Sequence, residues 1–93
     1  MKTEAPVAQA IRDKLQAAFQ PHRLEVIDDS RRHAGHAGAR EGGESHFNVV
    51  IEASIFEGLS RVERQRRVNR ALKEELAGPV HALSIKALAP GEA

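Results

Sequence analysis

Cysteine, tryptophan and tyrosine are absent from this chain, and only three phenylalanines occur in its 93 residues. Without cysteine there can be no disulfide, no Cys-type zinc site and no iron–sulfur site that the chain completes alone. Without Trp or Tyr, the core must be built from Leu, Ile, Val and Ala. Platforms for stacking single-stranded bases are equally scarce. A charge excess is missing too: fourteen basic against thirteen acidic residues leave a net charge of +1, which is not the balance of a general polyanion binder. No apolar stretch approaches the ~18 residues of a membrane span, and no signal-type apolar run follows Lys2. The expectation is a soluble cytoplasmic protein with no membrane contact. One domain is expected over residues 1–93, because this length supports one small core.

What the sequence does contain is a clear order of elements. Thr3 is placed to cap a first helix, with Pro6 tolerated in its first turn. Val7, Ala10, Ile11, Leu15, Ala18 and Phe19 follow helical spacing, with Lys14 as a polar intruder. Pro21 ends that helix. Leu24–Ile27 reads as a strand, residues 31–44 as a Gly-rich charged loop, and Phe47, Val49, Ile51 and Ala53 as the buried face of a second strand. Ser60-Arg61-Val62-Glu63 is a capping box for a second helix running to about Ala77. Gly78 is expected to supply a left-handed stop and Pro79 to prevent continuation. Val80–Leu88 is the third strand, and the tail 89–93 is expected to fray.

This order predicts an α+β fold, αββαβ. A short non-helical connection makes the first two strands antiparallel, and the helical crossover makes the third parallel to the second. Both helices then cover one face of a three-stranded mixed sheet.

The second helix carries two oddities. At about 100° per residue, Val62, Val68, Leu72 and Leu76 form an apolar stripe, yet Gln65 and Asn69 fall inside it. Two amides on such a stripe need partners or water. Arg66, Arg70 and Lys73 lie on the opposite arc, flanked by Arg64 and Arg67. That basic face can meet phosphates, or be an ordinary solvated face offset by Glu74 and Glu75.

Histidines form the other distinctive set. His33 and His36 sit in the Gly-rich loop, and His46 opens the second strand. Neutral imidazole is the commonest protein metal ligand, and loops on rigid scaffolds often carry function. A zinc site from His33, His36 and His46 with Glu44 is conceivable, but its spacing matches no common zinc pattern. His81 shares parity with Leu83, Ile85 and Ala87, at the mouth of the apolar face. Gly35-His36-Ala37-Gly38 spells G-x-x-G, but between strands and not between the helices that a KH clamp requires. No dinucleotide fingerprint, nucleophile elbow or catalytic constellation is present, so no enzyme is expected.

Leu24-Glu25-Val26, Asp29-Ser30, Glu44-Ser45-His46-Phe47, Phe56-x-Gly58, Leu72-x-Glu74-Glu75-Leu76 and Val80-His81-Ala82-Leu83 resemble the BolA family, bacterial type, in order and spacing. The likeness runs from about residue 8 to residue 90. It implies the family's αββαβ fold, which is related to the KH type without its clamp. It also implies a monothiol glutaredoxin as partner. In such pairs a 2Fe–2S cluster is shared among the glutaredoxin cysteine, a glutathione thiol and histidine of the BolA-like chain. By resemblance the metal ligands here are His81 and a loop histidine, His33 or its rival His36. No cofactor is expected on the isolated chain, which should be a monomer or weak homodimer. The implied role is iron–sulfur trafficking or iron and redox sensing.

One departure stands out. The family's R-H-R followed by an aromatic reads Arg64-Gln65-Arg66 with Asn69 here, which predicts a looser, wetter helix start. The alternative function is a DNA-binding transcriptional regulator of stress response and morphology. It would use Arg64, Arg66, Arg67, Arg70 and Lys73 on the KH-like fold.

Overall fold

The computed structural model describes residues 6–29 and 46–92. The Thr3 cap, the loop histidines His33 and His36, and Glu44 lie outside the described residues. The elements are α1 (Pro6–Phe19), β1 (Arg23–Asp28), β2 (His46–Glu52), a single 3-10 turn (Ser54–Phe56), α2 (Arg61–Ala71), α3 (Lys73–Ala77) and β3 (Ala82–Leu88). β2 is central: it pairs antiparallel with β1, setting Val26 opposite Val49. It pairs parallel with β3, setting Phe47 beside Leu83 and Val49 beside Ile85. The α+β architecture is the one anticipated.

Alternation along β2 decides where the core lies. Phe47, Val49 and Ile51 are buried with Ile11 and Leu15 of α1, Val68 of α2, and Leu72. Leu24 and Val26 of β1 and Leu83 and Ile85 of β3 pack on the same side. Both helices therefore cover one face, as the periodicities require. Phe56 closes the core beneath Phe19, with ring centroids 5.3 Å apart. The turn that delivers Phe56 needs glycine: Glu57 has φ −60° and ψ 133°, and Gly58 has φ +78°. With the Leu59 N–H bonded to the Phe56 carbonyl at 3.1 Å, this is a type II turn.

Ser60 caps the second helix as read, its hydroxyl accepting from the Glu63 N–H at 3.1 Å, while the Glu63 carboxylate turns to Arg67 and Arg66. That helix is not continuous. It breaks at Leu72, whose φ of −105° and ψ of 22° leave the α-helical region. The short α3 then continues the crossover. Lys14, the polar intruder of α1, explains what holds α3 in place. Its ammonium sits 2.7 Å from Glu74 and 2.8 Å from Glu75, and Glu75 is itself buried.

Four expectations are corrected. Gly78 is not left-handed: its φ is −115°, and the chain turns because the Glu75 carbonyl accepts from both the Gly78 and Val80 N–H groups. β3 starts at Ala82 and not at Val80, because those two bonds tie Val80 back to α3. Val62 lies in the predicted stripe but is 57% exposed. The tail does not fray through residue 92. Ala89 is buried, and the Glu92 N–H bonds to the Ala89 carbonyl at 3.1 Å across Pro90 and Gly91. Gly91 has φ +88° there, the third-position conformation of a turn that places Pro before Gly.

Candidate functional site

At the end of the sheet where β2 begins, two histidines come together. His81 precedes β3 in a bend and is exposed. His46 is the first residue of β2 and is buried, at 9% exposure. In the parallel register His46 lies beside Ala82, the residue after His81. The two imidazole rings stack, with centroids 6.3 Å apart and planes inclined by 27°. A shallow cavity of about 190 Å³ adjoins His46, lined also by Asp29, Asn48, Ala82 and Ser84. The Asn48 amide donates to the Asp29 carboxylate across its rim at 3.3 Å.

The segment that carries His33 and His36 leaves and re-enters the fold at this same end. Its flanking residues are joined directly, the Asp29 N–H donating to the His46 carbonyl at 2.7 Å. His81 therefore lies at the same end of the sheet as both anchors, beside His46 and with β2 between it and Asp29. His22 is remote, at the far end of the sheet, where its Nε2 lies 3.1 Å from the Ser54 hydroxyl. From the sequence His46 opens the second strand and enters only a conceivable zinc set with His33, His36 and Glu44. Its pairing with His81 is a consequence of sheet register, which no local spacing reveals.

The basic helix divides in two. Arg66 and Arg70 of α2 and Lys73 of α3 face solvent. Arg66 and Arg67 approach the same Glu63 carboxylate at 3.8 and 3.3 Å. Arg64 points the other way. Its guanidinium donates to the Leu59 and Ala87 carbonyls at 3.0 and 3.1 Å and pairs with Glu92 at 2.5 Å. That pairing raises the Arg64 pKa. Arg64, followed by the Ala89 N–H, holds the Glu92 carboxyl down to about 2.

Gln65 has a specific partner. Its amide donates to the Ile85 carbonyl at 2.9 Å. The Leu88 carbonyl faces β2, where it accepts from Ala53, so by alternation the Ile85 and Ala87 carbonyls face the outer edge of β3. Gln65 and Arg64 thus cover an edge that would otherwise present open acceptors. Asn69, the second odd amide, is simply exposed.

The site so defined is a histidine pair at the end of the sheet where β2 begins. Residues 15–92 match the family described as BolA: BolA-like protein, and the chain belongs to that family. A Sinorhizobium sp. protein encoded in the cobS 5′ region is 48% identical over 87 residues, covering 92% of this chain and 94% of that one. BolA-like protein 1 of Bos taurus is 49% identical over 87 residues, covering 94% of this chain and 62% of the relative. The chain thus spans under two thirds of that relative's length. The BolA domain of SufE1 from Arabidopsis thaliana superposes with a TM-score of 0.87 at 41% identity, covering 98% of this chain and all of that domain. No helix among the described residues is long and apolar enough to cross a membrane. An Arabidopsis thaliana relative 45% identical over 86 residues is named SufE-like protein 1, chloroplastic/mitochondrial.

Proposed function

We propose that this BolA-like protein is a non-enzymatic partner of a monothiol glutaredoxin in iron–sulfur trafficking or iron and redox sensing. His81 and a histidine of the segment after Asp29, His33 or His36, would supply ligands to a shared 2Fe–2S cluster. The observation that carries the reading is the position of His81. It is exposed, it stands at the end of the sheet where residues 30–45 leave and re-enter the fold, and it adjoins His46, the second anchor of the segment that bears the other candidates.

With no cysteine in the chain, the imidazoles it offers fit a cluster completed by thiols of another molecule. In this reading the other ligands come from residues 30–45, from a partner thiol and from glutathione. When bound, the cluster supplies electron storage and a transferable iron–sulfur unit. This chain contributes neutral imidazole, which must be deprotonated at the ligating nitrogen. β3 fixes the backbone after His81, and the bond from the Val80 N–H to the Glu75 carbonyl at 3.0 Å holds it before.

The membership in the BolA-like family and the likeness to the BolA domain of SufE1 support this reading. The same reading places the protein in the cytoplasm as a monomer or weak homodimer when alone, with no cofactor until the partner brings one. DNA binding in transcriptional regulation remains the alternative, and it now rests on Arg66, Arg67, Arg70 and Lys73. Arg64 is engaged at the β3 edge and with Glu92, so it is not available to phosphates.

The test is a titration of a cluster-loaded monothiol glutaredoxin homodimer with this protein, followed by visible absorption and circular dichroism. A changed cluster spectrum at one-to-one stoichiometry is expected, lost in His81→Ala and in one of His33→Ala or His36→Ala. An unchanged spectrum with the wild-type chain sinks histidine ligation. In that case DNA affinity that falls steeply with salt, with a shallower slope in an Arg66/Arg70/Lys73→Ala variant, carries the alternative.

A further inference from the structure

His46 differs from His81 in every physical respect except its side chain. It lies in a regular strand, its carbonyl is bonded to the Asp29 N–H at 2.7 Å, and its ring is buried. His81 lies in a bend before β3 and is exposed. An exposed histidine samples three χ1 wells and a broad, roughly two-fold χ2. Here a fixed ring stands 6.3 Å from it with planes only 27° apart, within the range in which aromatic rings attract in offset arrangements.

We propose that His46 is a positioning residue for His81. It presents a ring face that narrows the rotamers of the His81 imidazole before any partner arrives. This rests on the reading of His81 as a cluster ligand. His46 is not itself a ligand in this arrangement. Its burial keeps His46 from a centre shared with a second protein.

The size of the effect follows from rotamer counting. Freezing three χ1 wells and two χ2 orientations into one costs up to about sixfold in affinity, and a pre-set ring avoids most of that. Loss of the His46 ring should therefore weaken capture of the cluster by up to about sixfold without abolishing it. A flat apolar ring should preserve the effect, because stacking needs a face and not a nitrogen.

The experiment uses the full chain with wild type, His46→Phe, His46→Ala, His46→Gln and His81→Ala, each first checked for a native far-ultraviolet spectrum. In the free protein, three-bond couplings of the His81 side chain report its χ1 distribution. Wild type and His46→Phe should show one dominant rotamer, and His46→Ala and His46→Gln an averaged one. Titration with the cluster-loaded glutaredoxin homodimer should then rank affinities in the same order. Wild-type couplings in both His46→Ala and His46→Gln overturn the proposal whatever the cluster does. So does loss of the cluster spectrum in His46→Phe as complete as in His81→Ala, which would make His46 a ligand. A wild-type chain with no cluster effect defeats the proposed function, while the couplings in the free protein still decide the positioning role.

Discussion

Replacing Gln65 tests how the edge of β3 is closed. The Gln65 amide is the donor for the Ile85 carbonyl at 2.9 Å, and the site is only partly buried. Gln65→Met keeps the length and unbranched shape of the side chain and removes the donor. A neutral hydrogen bond of this kind contributes about 0.5–1.5 kcal/mol net, with a bare buried acceptor at the upper end. Glutamine and methionine have similar helix propensities, so little of the change comes from α2 itself. In a domain of this size about 1 kcal/mol moves Tm by roughly 4–8 °C. Thermal unfolding followed at 222 nm should therefore show Gln65→Met melting several degrees below wild type. Gln65→His, which restores the family's usual residue with its ring N–H donor, should recover much of the loss. Sedimentation of the Met variant should also show more self-association, since an uncovered outer carbonyl invites strand pairing. A Tm within about one degree of wild type, with unchanged sedimentation, would show that water serves the Ile85 carbonyl equally well and that Gln65 does not guard the edge.

Two further outcomes follow from packing and charge. Leu72→Ala removes a fully buried side chain and should cost roughly 2–5 kcal/mol in urea unfolding, whereas Val62→Ala on the same helical stripe should stay within about 0.5 kcal/mol; equal losses would contradict the exposure of Val62. Glu92 has a carboxyl held down to about 2, against an ordinary value of 4.5. Its contribution to stability is thus complete above the ordinary value and disappears as pH falls through about 2. Between pH 5 and 2, Tm should fall more steeply in wild type than in Glu92→Gln, and parallel curves would show that the Arg64–Glu92 pair does not report on folding.

Much of the fold was legible along the chain because its signals are local. Period-two alternation in Phe47, Val49 and Ile51 placed the core face of β2. The capping box at Ser60 placed the start of α2. Pro21 and the helical spacing before it bounded α1. The connection lengths then settled which strands run antiparallel and which parallel. The expected resemblance, confirmed by the family match over residues 15–92, rested on motifs of the same local kind.

The features that periodicity misread or missed are those decided across the sheet. Gln65 looked misplaced on an apolar stripe because its acceptor, the Ile85 carbonyl, lies twenty residues away. Lys14 looked like an intruder for the same reason, its carboxylate partners lying on α3. Arg64 was counted with a basic face until the tail supplied Glu92 as its counter-ion. The ordered turn through Glu92 depends on the Arg64 guanidinium, which only packing brings within reach. His46 and His81 are far apart in sequence, and parallel pairing of β2 with β3 sets their rings 6.3 Å apart. Composition and periodicity determined which residues are inside and which way the strands run, because those depend on each residue's own chemistry and its near neighbours. Which polar groups meet depended on register, and register exists only once the chain has closed on itself.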